Sequence, residues 1–222
     1  MTRAAYTTLD PRAGAALVVL AKAPRAGRSK TRLCPPCTPD EAAALARAAL
    51  ADTLEAVLAA PAARRVLVLD GPAGDWLPAG FEVIPQRGDG LDERLAHAFA
   101  DVGGPALLVG MDTPQLTPRD LSRGLARLAA PGTDAVLGPA PDGGYWAIGL
   151  RAADPRAFLG VPMSTARTGR AQLSRLRALG LRVALLPALR DVDRIADARA
   201  VAALAPAGRF ARALAVMGAA AG

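Results

Sequence analysis

Short, uninterrupted apolar runs alternate along the chain with longer segments in which apolar residues recur every three or four positions. The uninterrupted runs are typical of strands that are buried on both faces, as in a parallel sheet. Because strands and helices alternate, we predict an α/β fold with helices on both faces of a largely parallel sheet. The predicted strands are residues 16–21, 65–70, 81–85, 106–110, 135–138, 145–150 and 182–186.

Two helices begin with clear sequence signals. Thr38-Pro39-Asp40-Glu41 combines an N-cap, a proline suited to the first helical position and a glutamate that completes a capping box. Thr117-Pro118-Arg119-Asp120 has the same form. Leu50, Leu54 and Val57 follow the first start at helical spacing, which predicts a long helix there. Further helices are predicted at residues 91–101, 165–179, 195–204 and 208–217, with a short one after Asp154.

The chain has 222 residues, a length that fits one large α/β domain. We predict a loose tail at residues 1–14 and a single domain at residues 15–217. No apolar run approaches the ~20 residues that a membrane-spanning helix needs. The apolar run at residues 13–21 is followed directly by Lys22 and lacks the cleavage pattern of a signal peptide. We therefore expect a cytoplasmic protein without a membrane span.

The net charge of +7 comes mostly from arginine and raises the question of nucleic-acid binding. The arginines are spread along the chain, and aromatic residues, at 4%, are too few for a base-stacking platform. A composition rich in Arg, Ala, Gly and Pro is also typical of proteins encoded by high-GC genomes. We therefore do not expect a nucleic-acid partner.

Cys34 and Cys37 form a Cys-Pro-Pro-Cys tetrad, a spacing found in redox sites and in half of some zinc sites. The sequence has no second pair of this kind, and His97 is its only histidine. A four-ligand zinc site would therefore need carboxylates. Two prolines just before a helix suit an ordinary turn, and we favour that interpretation.

A cationic loop directly follows the first predicted strand. Residues 22–32 hold five cations and no acid, and in an open α/β sheet ligands bind where strands end. Such a loop can neutralise phosphates and offer backbone N–H groups, although its spacing is not that of a P-loop. The alternative is a solvated basic loop, in which the cations would repel one another. We predict nucleotide-phosphate binding by Lys22, Pro24, Gly27, Lys30, Thr31 and Arg32.

Three aspartates follow strand ends and are candidate metal ligands. Asp112 lies just beyond the strand that ends at Gly110, where a carboxylate can hold Mg²⁺ or Mn²⁺ and bridge to substrate phosphates. In an extended Asp191-Val192-Asp193 segment, the two aspartates face the same way and can supply a second carboxylate. The alternatives are a turn residue for Asp112 and a helix N-cap for Asp193.

The stretch from Gly138 to Trp146 combines glycines, an aspartate and an aromatic pair. Glycines permit close backbone approach, and Asp-Gly also suits a hairpin corner, which is the structural alternative. Since a turn does not need an aromatic pair, we predict that the stretch binds an acceptor. The residues assigned to this role are Gly143, Gly144, Tyr145 and Trp146, with Asp142 as a candidate general base.

Two weaker signals lie before predicted helices. Asp89 lies between two glycines after a strand and can contact the base or ribose of a nucleotide. Ser164 and Thr165 precede a helix whose N-terminus favours anions, so we include them on the acceptor side. Helix capping explains the two hydroxyls equally well.

Taken together and in this order, the stretches "AKAPRAGRSKTRL", "GMDTPQL", "GPAPDGGYWAIGL", "ST" and "LPALRDVD" resemble the bacterial DUF2064 family. The resemblance spans roughly residues 15–205 and implies a GT-A-type, three-layer nucleotide-diphospho-sugar transferase fold with a mostly parallel mixed sheet. The "KTRL" and "DVD" ends also resemble 2-phospho-lactate guanylyltransferases and molybdenum-cofactor nucleotidyltransferases. Two departures from the family pattern are Met163 before Ser164-Thr165 and Arg194 after Asp193.

The resemblance implies roles for the candidate residues. Lys22, Lys30 and Arg32 would face the nucleotide phosphates, and Asp112 with Asp191 or Asp193 would hold Mg²⁺ or Mn²⁺. We expect a metal-dependent transferase with a nucleotide donor, and first a glycosyltransferase that moves a sugar to a small acceptor. The alternatives are a guanylyltransferase-like enzyme that acts on a small phosphorylated acid and releases pyrophosphate, and a non-catalytic nucleotide-binding protein.

Overall fold

A computed structural model of the protein describes residues 14–220, with side chains described as far as Met217. One seven-stranded sheet has the strand order β3-β2-β1-β4-β6-β5-β7. Strand β6 runs antiparallel to both of its neighbours, and all other pairs are parallel. The strands are β1 Ala16–Lys22, β2 Arg64–Asp70, β3 Glu82–Pro85, β4 Ala106–Gly110, β5 Ala135–Pro139, β6 Tyr145–Leu150 and β7 Val183–Leu185.

The helices are α1 Pro39–Ala59, α2 Leu91–Val102, α3 Pro118–Ala129, α4 Thr168–Ala178, α5 Ile195–Leu204 and α6 Arg209–Ala220. Both predicted capping boxes are present. Thr38 Oγ1 accepts from the Glu41 amide at 3.2 Å, and Glu41 Oε2 accepts from the Thr38 amide at 2.7 Å. Thr117 and Asp120 form the same reciprocal pair at α3.

The strands alternate their side chains between two apolar cores, one on each face of the sheet. Leu17 and Val19 of β1 pack with α1 and α3 on one face. Val18 packs with α2 and α4 on the other, where the rings of Phe99 and Phe158 stack with centroids 5.0 Å apart. A third apolar cluster joins α1 to α5 and α6. The layered α/β architecture predicted from the sequence is therefore confirmed.

Most element boundaries fall within one or two residues of their predicted positions. The clearest exception is α4, which begins at Thr168 and not at residue 165. Thr168 Oγ1 accepts from the Thr165 amide at 3.0 Å and donates to Pro162 O at 3.0 Å, so these bonds form a capped turn before the helix. A short 3₁₀ helix at Thr31–Leu33 in the basic loop was not expected, whereas the one at Pro155–Ala157 matches the short helix predicted after Asp154.

The tail predicted at residues 1–14 lies, apart from Gly14, outside the described residues. The segment that holds Cys34 and Cys37 forms the turn predicted before α1. Both cysteines are free thiols, and Cys37 packs in the third apolar cluster. Among the described residues, no helix is both long and apolar enough to cross a membrane.

Candidate active site

The carboxyl ends of β1 and β4 meet the β5–β6 turn at one edge of the sheet. This follows from the reversal of β6, whose Ala147 pairs with Val109 near the end of β4. A cavity of about 720 Å³ opens at this edge. The predicted site residues that line it are Lys22, Arg32, Asp89, Asp112, Asp142, Gly144, Tyr145, Trp146, Ser164, Thr165, Asp191 and Asp193.

A second, smaller cavity of about 260 Å³ adjoins the first beneath the basic loop. Lys22, Arg32, Asp112 and Asp193 line both cavities, and Lys30 and Thr31 line the smaller one. The remaining predicted residues, Pro24, Gly27 and Gly143, border neither of these two cavities.

The basic loop is a wound segment held by its own hydrogen bonds. The Arg25 amide donates to Ser29 Oγ at 2.9 Å, and the Ser29 amide donates to Arg25 O at 3.0 Å. Lys30 follows with a left-handed backbone at φ 51°, an uncommon conformation for a residue with a side chain. Its side chain turns inward and is only 9% exposed.

Two cations of this loop contact the predicted metal carboxylates. Lys30 Nζ lies 2.6 Å from Asp112 Oδ1 and also donates to Val192 O. Arg32 Nη1 lies 2.8 Å from Asp193 Oδ2. The Val192 amide donates to Asp112 O at 2.8 Å, so the end of β4, the basic loop and the 191–193 segment meet at one point.

Asp191 has a strongly perturbed carboxyl group. Its pKa is raised to about 6, first by burial and then by the charges of Asp142 and Asp112, while a backbone hydrogen bond and the charge of Lys30 oppose the rise. Three aspartates from three separate segments therefore interact electrostatically across the cavity. Buried groups whose pKa is shifted by specific charged neighbours in a cleft are candidates for a functional site.

The donor chemistry of these aspartates fits Mg²⁺ or Mn²⁺, which prefer oxygen ligands. No group of three His, Cys, Asp or Glu residues within residues 14–220 lies close enough to form a complete metal site. Mg²⁺ usually binds through one or two carboxylates together with substrate phosphates and water. The arrangement therefore fits a cation that arrives with phosphates, and the predicted ligands Asp112, Asp191 and Asp193 are carboxylates at the cavity that could hold it.

The β5–β6 turn brings glycine backbone against the segment before α4. Asp142 Oδ1 accepts from the Gly144 amide at 2.8 Å, which stabilises the turn. Gly143 has φ +91°, and a Cβ there would lie 2.0 Å from Ala166 O. The Gly169 amide donates to Gly143 O at 2.8 Å. These contacts explain the glycine at 143 by packing, and its predicted role in acceptor binding stays a prediction.

Tyr145 and Trp146 point to opposite faces of the sheet. The Tyr145 hydroxyl donates to Gln172 Oε1 at 3.3 Å, and burial raises the pKa of the phenol. Trp146 is 4% exposed, and its indole N–H donates to Pro187 O at 3.0 Å. The indole ring also covers Gly138, where a Cβ would lie 2.5 Å from it. Packing thus accounts for the ring of Trp146, although the residue borders the cavity.

The loop before α4 lines the larger cavity and does not border the smaller one beside the basic loop. Ser164 is exposed and has φ 57°; with Lys30, it is one of two non-glycine residues with positive φ in the described chain. Thr165 Oγ1 accepts from the Arg167 amide at 3.2 Å. Both hydroxyl residues therefore precede α4, which begins at Thr168, and the Thr165 hydroxyl already accepts a hydrogen bond within the turn.

Gln86 and Arg94 line the cavity but were not predicted as site residues. Gln86 Nε2 donates to Ala21 O at 2.7 Å, and Arg94 Nη1 donates to Asp70 Oδ2 at 3.1 Å. Together they tie the ends of β1 and β2 to α2. The signal for them in the sequence is their position in the 86–94 stretch, which also contains Asp89, the residue predicted to contact the nucleotide.

A family model described as an uncharacterized protein conserved in bacteria, DUF2064, matches residues 44–165. The chain belongs to the DUF2064 family. Among curated proteins, this DUF2064 chain is similar to a phosphoenolpyruvate guanylyltransferase from Salinispora arenicola (strain CNS-205), with 38% identity over 138 residues. The match covers 54% of the chain and only 63% of that relative's length.

Among solved structures, a candidate nucleotide-diphospho-sugar transferase from Desulfovibrio desulfuricans G20 has a TM-score of 0.74 and 30% identity, covering 82% of this chain and 84% of its own. A CMP-2-keto-3-deoxy-manno-octonic acid synthetase complexed with CTP has a TM-score of 0.60 and 16% identity, covering 87% and 98%. Rv0371c from Mycobacterium tuberculosis H37Rv, in complex with manganese, has a TM-score of 0.50 and 23% identity, covering 85% and 98%. This DUF2064 protein therefore has the nucleotide-diphospho-sugar transferase fold expected from the sequence.

Proposed function

We propose that the protein is a metal-dependent nucleotidyltransferase that joins a nucleoside monophosphate to a small phosphorylated acid and releases pyrophosphate. The observation that carries this proposal is the meeting of the basic loop with the acidic segments: Lys30 contacts Asp112, and Arg32 contacts Asp193. Cations and carboxylates in contact at the edge of one cavity suit a nucleoside triphosphate that binds with a divalent cation.

Asp112 and Asp191 would hold the cation, with Asp193 as the alternative to Asp191. When bound there, Mg²⁺ or Mn²⁺ would act as a Lewis acid that offsets charge on the phosphate oxygens. The match to a manganese complex of Rv0371c is consistent with this choice of ions.

The basic loop would neutralise the leaving group. An acceptor phosphate oxygen attacks the α-phosphorus of the triphosphate, a new P–O bond forms, and the bond to the β-phosphate oxygen breaks. Negative charge grows on the departing pyrophosphate, where Lys22, Lys30 and Arg32 can offset it from the walls of the smaller cavity. Pro24, Gly27 and Thr31 would shape that loop, and Asp89 would contact the nucleoside at the larger cavity.

The acceptor would lie between the β5–β6 turn and the start of α4, beside Gly144, Tyr145, Ser164 and Thr165. A helix N-terminus with hydroxyl groups favours an anionic acceptor. Because the second pKa of a phosphate monoester is about 6, such an acceptor is mostly ionised at neutral pH and needs little general-base assistance. Asp142 would then position the acceptor or the cation.

Two observations favour nucleotidyl transfer over the glycosyl transfer first expected. The curated relative from Salinispora arenicola is named a phosphoenolpyruvate guanylyltransferase, although the chain spans only 63% of its length. In addition, the aromatic pair lacks an open ring face for a sugar on the Trp146 side, because that indole is buried in the core.

Glycosyl transfer from a nucleoside-diphosphate sugar is the second candidate. It is favoured by the similarity to the Desulfovibrio desulfuricans protein, which is 30% identical and covers 82% of the chain. In that reaction the acceptor hydroxyl must lose a proton, and Asp142, at the cavity surface, is the candidate general base.

The test is product analysis by ³¹P NMR with Mg²⁺, comparing GTP, CTP, ATP and UTP with phosphoenolpyruvate as the first acceptor. Nucleotidyl transfer yields pyrophosphate and a new diphosphate linkage. Consumption of a nucleoside-diphosphate sugar with release of nucleoside diphosphate, and no pyrophosphate from any triphosphate, would replace it with glycosyl transfer. Nucleotide binding without turnover by either route would support a non-catalytic protein.

A further inference from the structure

The two ion pairs between the basic loop and the aspartates differ in their surroundings. The Lys30 side chain is 9% exposed and contacts both Asp112 and the Val192 carbonyl oxygen. In the other pair, the Arg32 and Asp193 side chains are 65% and 40% exposed. Exposed pairs contribute little because solvent screens them and two long side chains lose entropy. The ammonium of Lys30 is therefore the only one of the two cations that is held firmly among the carboxylates.

From this geometry we propose that Lys30 is an internal cation that occupies the Asp112 carboxylate until a divalent cation arrives together with nucleotide phosphates. The inference rests on the cation site of the proposed function. Lys30 thereby becomes a positioning residue that couples the binding of the two ligands.

The coupling follows from charge balance. A nearly buried ammonium that leaves Asp112 needs another anion, and the phosphates of a nucleotide supply it. When the ammonium leaves, the negative charge of Asp112 also needs a new partner, and another cation must supply it. A free divalent cation must displace Lys30 with no anion to receive it, so it binds weakly. A nucleotide and a cation that enter together satisfy both groups.

The neighbouring carboxylates make the effect directional. Asp191 is close enough to Asp112 and Asp142 for their charges to act on it, and Lys30 is the cation that offsets them. Removing the Lys30 charge leaves a more negative cluster, which attracts a free divalent cation more strongly. If Lys30 only supported the loop, its substitution would loosen the site and weaken the binding of the divalent cation.

The experiment measures Mn²⁺ binding without nucleotide, from the electron paramagnetic resonance signal of the free ion. Lys30→Gln and Lys30→Met are expected to bind Mn²⁺ roughly fivefold to tenfold more tightly than the wild type, within the usual range of coupling between sites. Lys30→Arg keeps the charge and is expected to stay near the wild-type affinity. Arg28→Gln is the matched control, because Arg28 is an exposed cation of the same loop that makes no ion pair with any described residue.

Circular dichroism establishes that each variant is folded, and Lys30→Met keeps the methylene stem in case the glutamine variant is unstable. Equal or weaker Mn²⁺ binding by the neutral Lys30 variants would overturn the inference. So would an equal gain in Arg28→Gln, which would reveal only a general charge effect, or the absence of Mn²⁺ binding in every variant. If only the neutral Lys30 variants bind Mn²⁺ more tightly and the protein transfers no nucleotide, the exchange of Lys30 for a cation at Asp112 stands and the proposed reaction is rejected.

Discussion

The Val192 amide donates to the Asp112 carbonyl oxygen at 2.8 Å, which fixes the 191–193 segment beside the loop that follows β4. Because this bond uses only backbone atoms, substitution of either aspartate side chain leaves it in place. The carboxylates can therefore be altered one at a time without separating the two segments.

Asp112→Asn is expected to abolish metal-dependent nucleotide binding in a protein that stays folded. The amide is a poorer ligand for a hard cation, and the loss of the Lys30 ion pair should cost about 1–3 kcal/mol of stability. Thermal shifts with a nucleoside triphosphate, with and without Mg²⁺, measure both effects. Asp75→Asn, at a carboxylate 84% exposed, is the control and should keep the Mg²⁺-dependent shift. A folded Asp112→Asn protein with that shift unchanged would remove Asp112 from the cation site.

Asp191→Asn is expected to stabilise the metal-free protein at pH 8 but not at pH 4. The pKa of Asp191 is about 6 in the folded protein, above the ordinary 3.8, so the folded state binds this proton more tightly than the unfolded state. The protein thus loses stability as the pH rises from about 4 to about 6, by at most about 3 kcal/mol. Asp191→Asn has no carboxylate charge at this position and therefore avoids that loss of stability.

For a chain of this length, the Asp191→Asn gain corresponds to a rise in Tm of at most roughly 6–12 °C at pH 8. Melting curves in a chelating buffer at the two pH values provide the measurement. Asp193→Asn removes only the exposed pair with Arg32 and should not raise Tm at pH 8. The same gain at both pH values would show that the Asp191 charge is not its source.

Gly143→Ala should displace the loop before α4 and weaken acceptor binding. Its Cβ would lie 2.0 Å from Ala166 O, and its φ of +91° adds strain of about 1–2 kcal/mol. Gly180→Ala is the matched control, since Gly180 has φ +77° and no atom within 4 Å of its Cβ position. We expect at least about twice the loss of unfolding free energy for Gly143→Ala. The KM for the acceptor should also rise in Gly143→Ala. Equal losses of unfolding free energy in the two variants would mean that Ala166 can move aside without cost.

Trp146→Phe distinguishes packing from acceptor binding. The phenylalanine cannot donate to Pro187 O, so we expect a loss of about 1–3 kcal/mol in the free energy of unfolding and an unchanged acceptor KM. Urea unfolding and initial rates measure the two quantities. A tenfold higher KM for the acceptor with unaltered stability would instead indicate that the indole ring contacts the acceptor.

The sequence predicted best those elements whose signals are local. β4 and α5 have the predicted bounds, because an apolar run and a helical period each determine their own segment. The start of α4 was misplaced because hydroxyl hydrogen bonds of Thr165 and Thr168 compete with the helix, and the spacing of apolar residues does not report them.

The sequence predicted most of the residues that border the two cavities, but it did not predict the contacts between them. The basic loop contains no acidic residue of its own. In the folded chain, Asp112 and Asp193 come from distant segments of the sequence and pair with Lys30 and Arg32, and local sequence patterns do not report such pairs. For the aromatic pair a signal was available. Neighbouring residues of a strand point to opposite faces of the sheet, so the rings of Tyr145 and Trp146 could not both be directed at one acceptor, although both residues border the cavity.

The reversed strand β6 brings segments of two different origins to the edge of the sheet where the cavity lies. Loops after the parallel strands β1 and β4 supply the basic loop and Asp112, whereas a local hairpin and the approach to α4 line only the larger cavity. Because the hairpin closes over only a few residues, its sequence can change with little effect on the rest of the sheet. Under the proposed function, the fold would allow the acceptor-binding hairpin to diverge between related proteins while the loops proposed to bind the nucleotide stay the same.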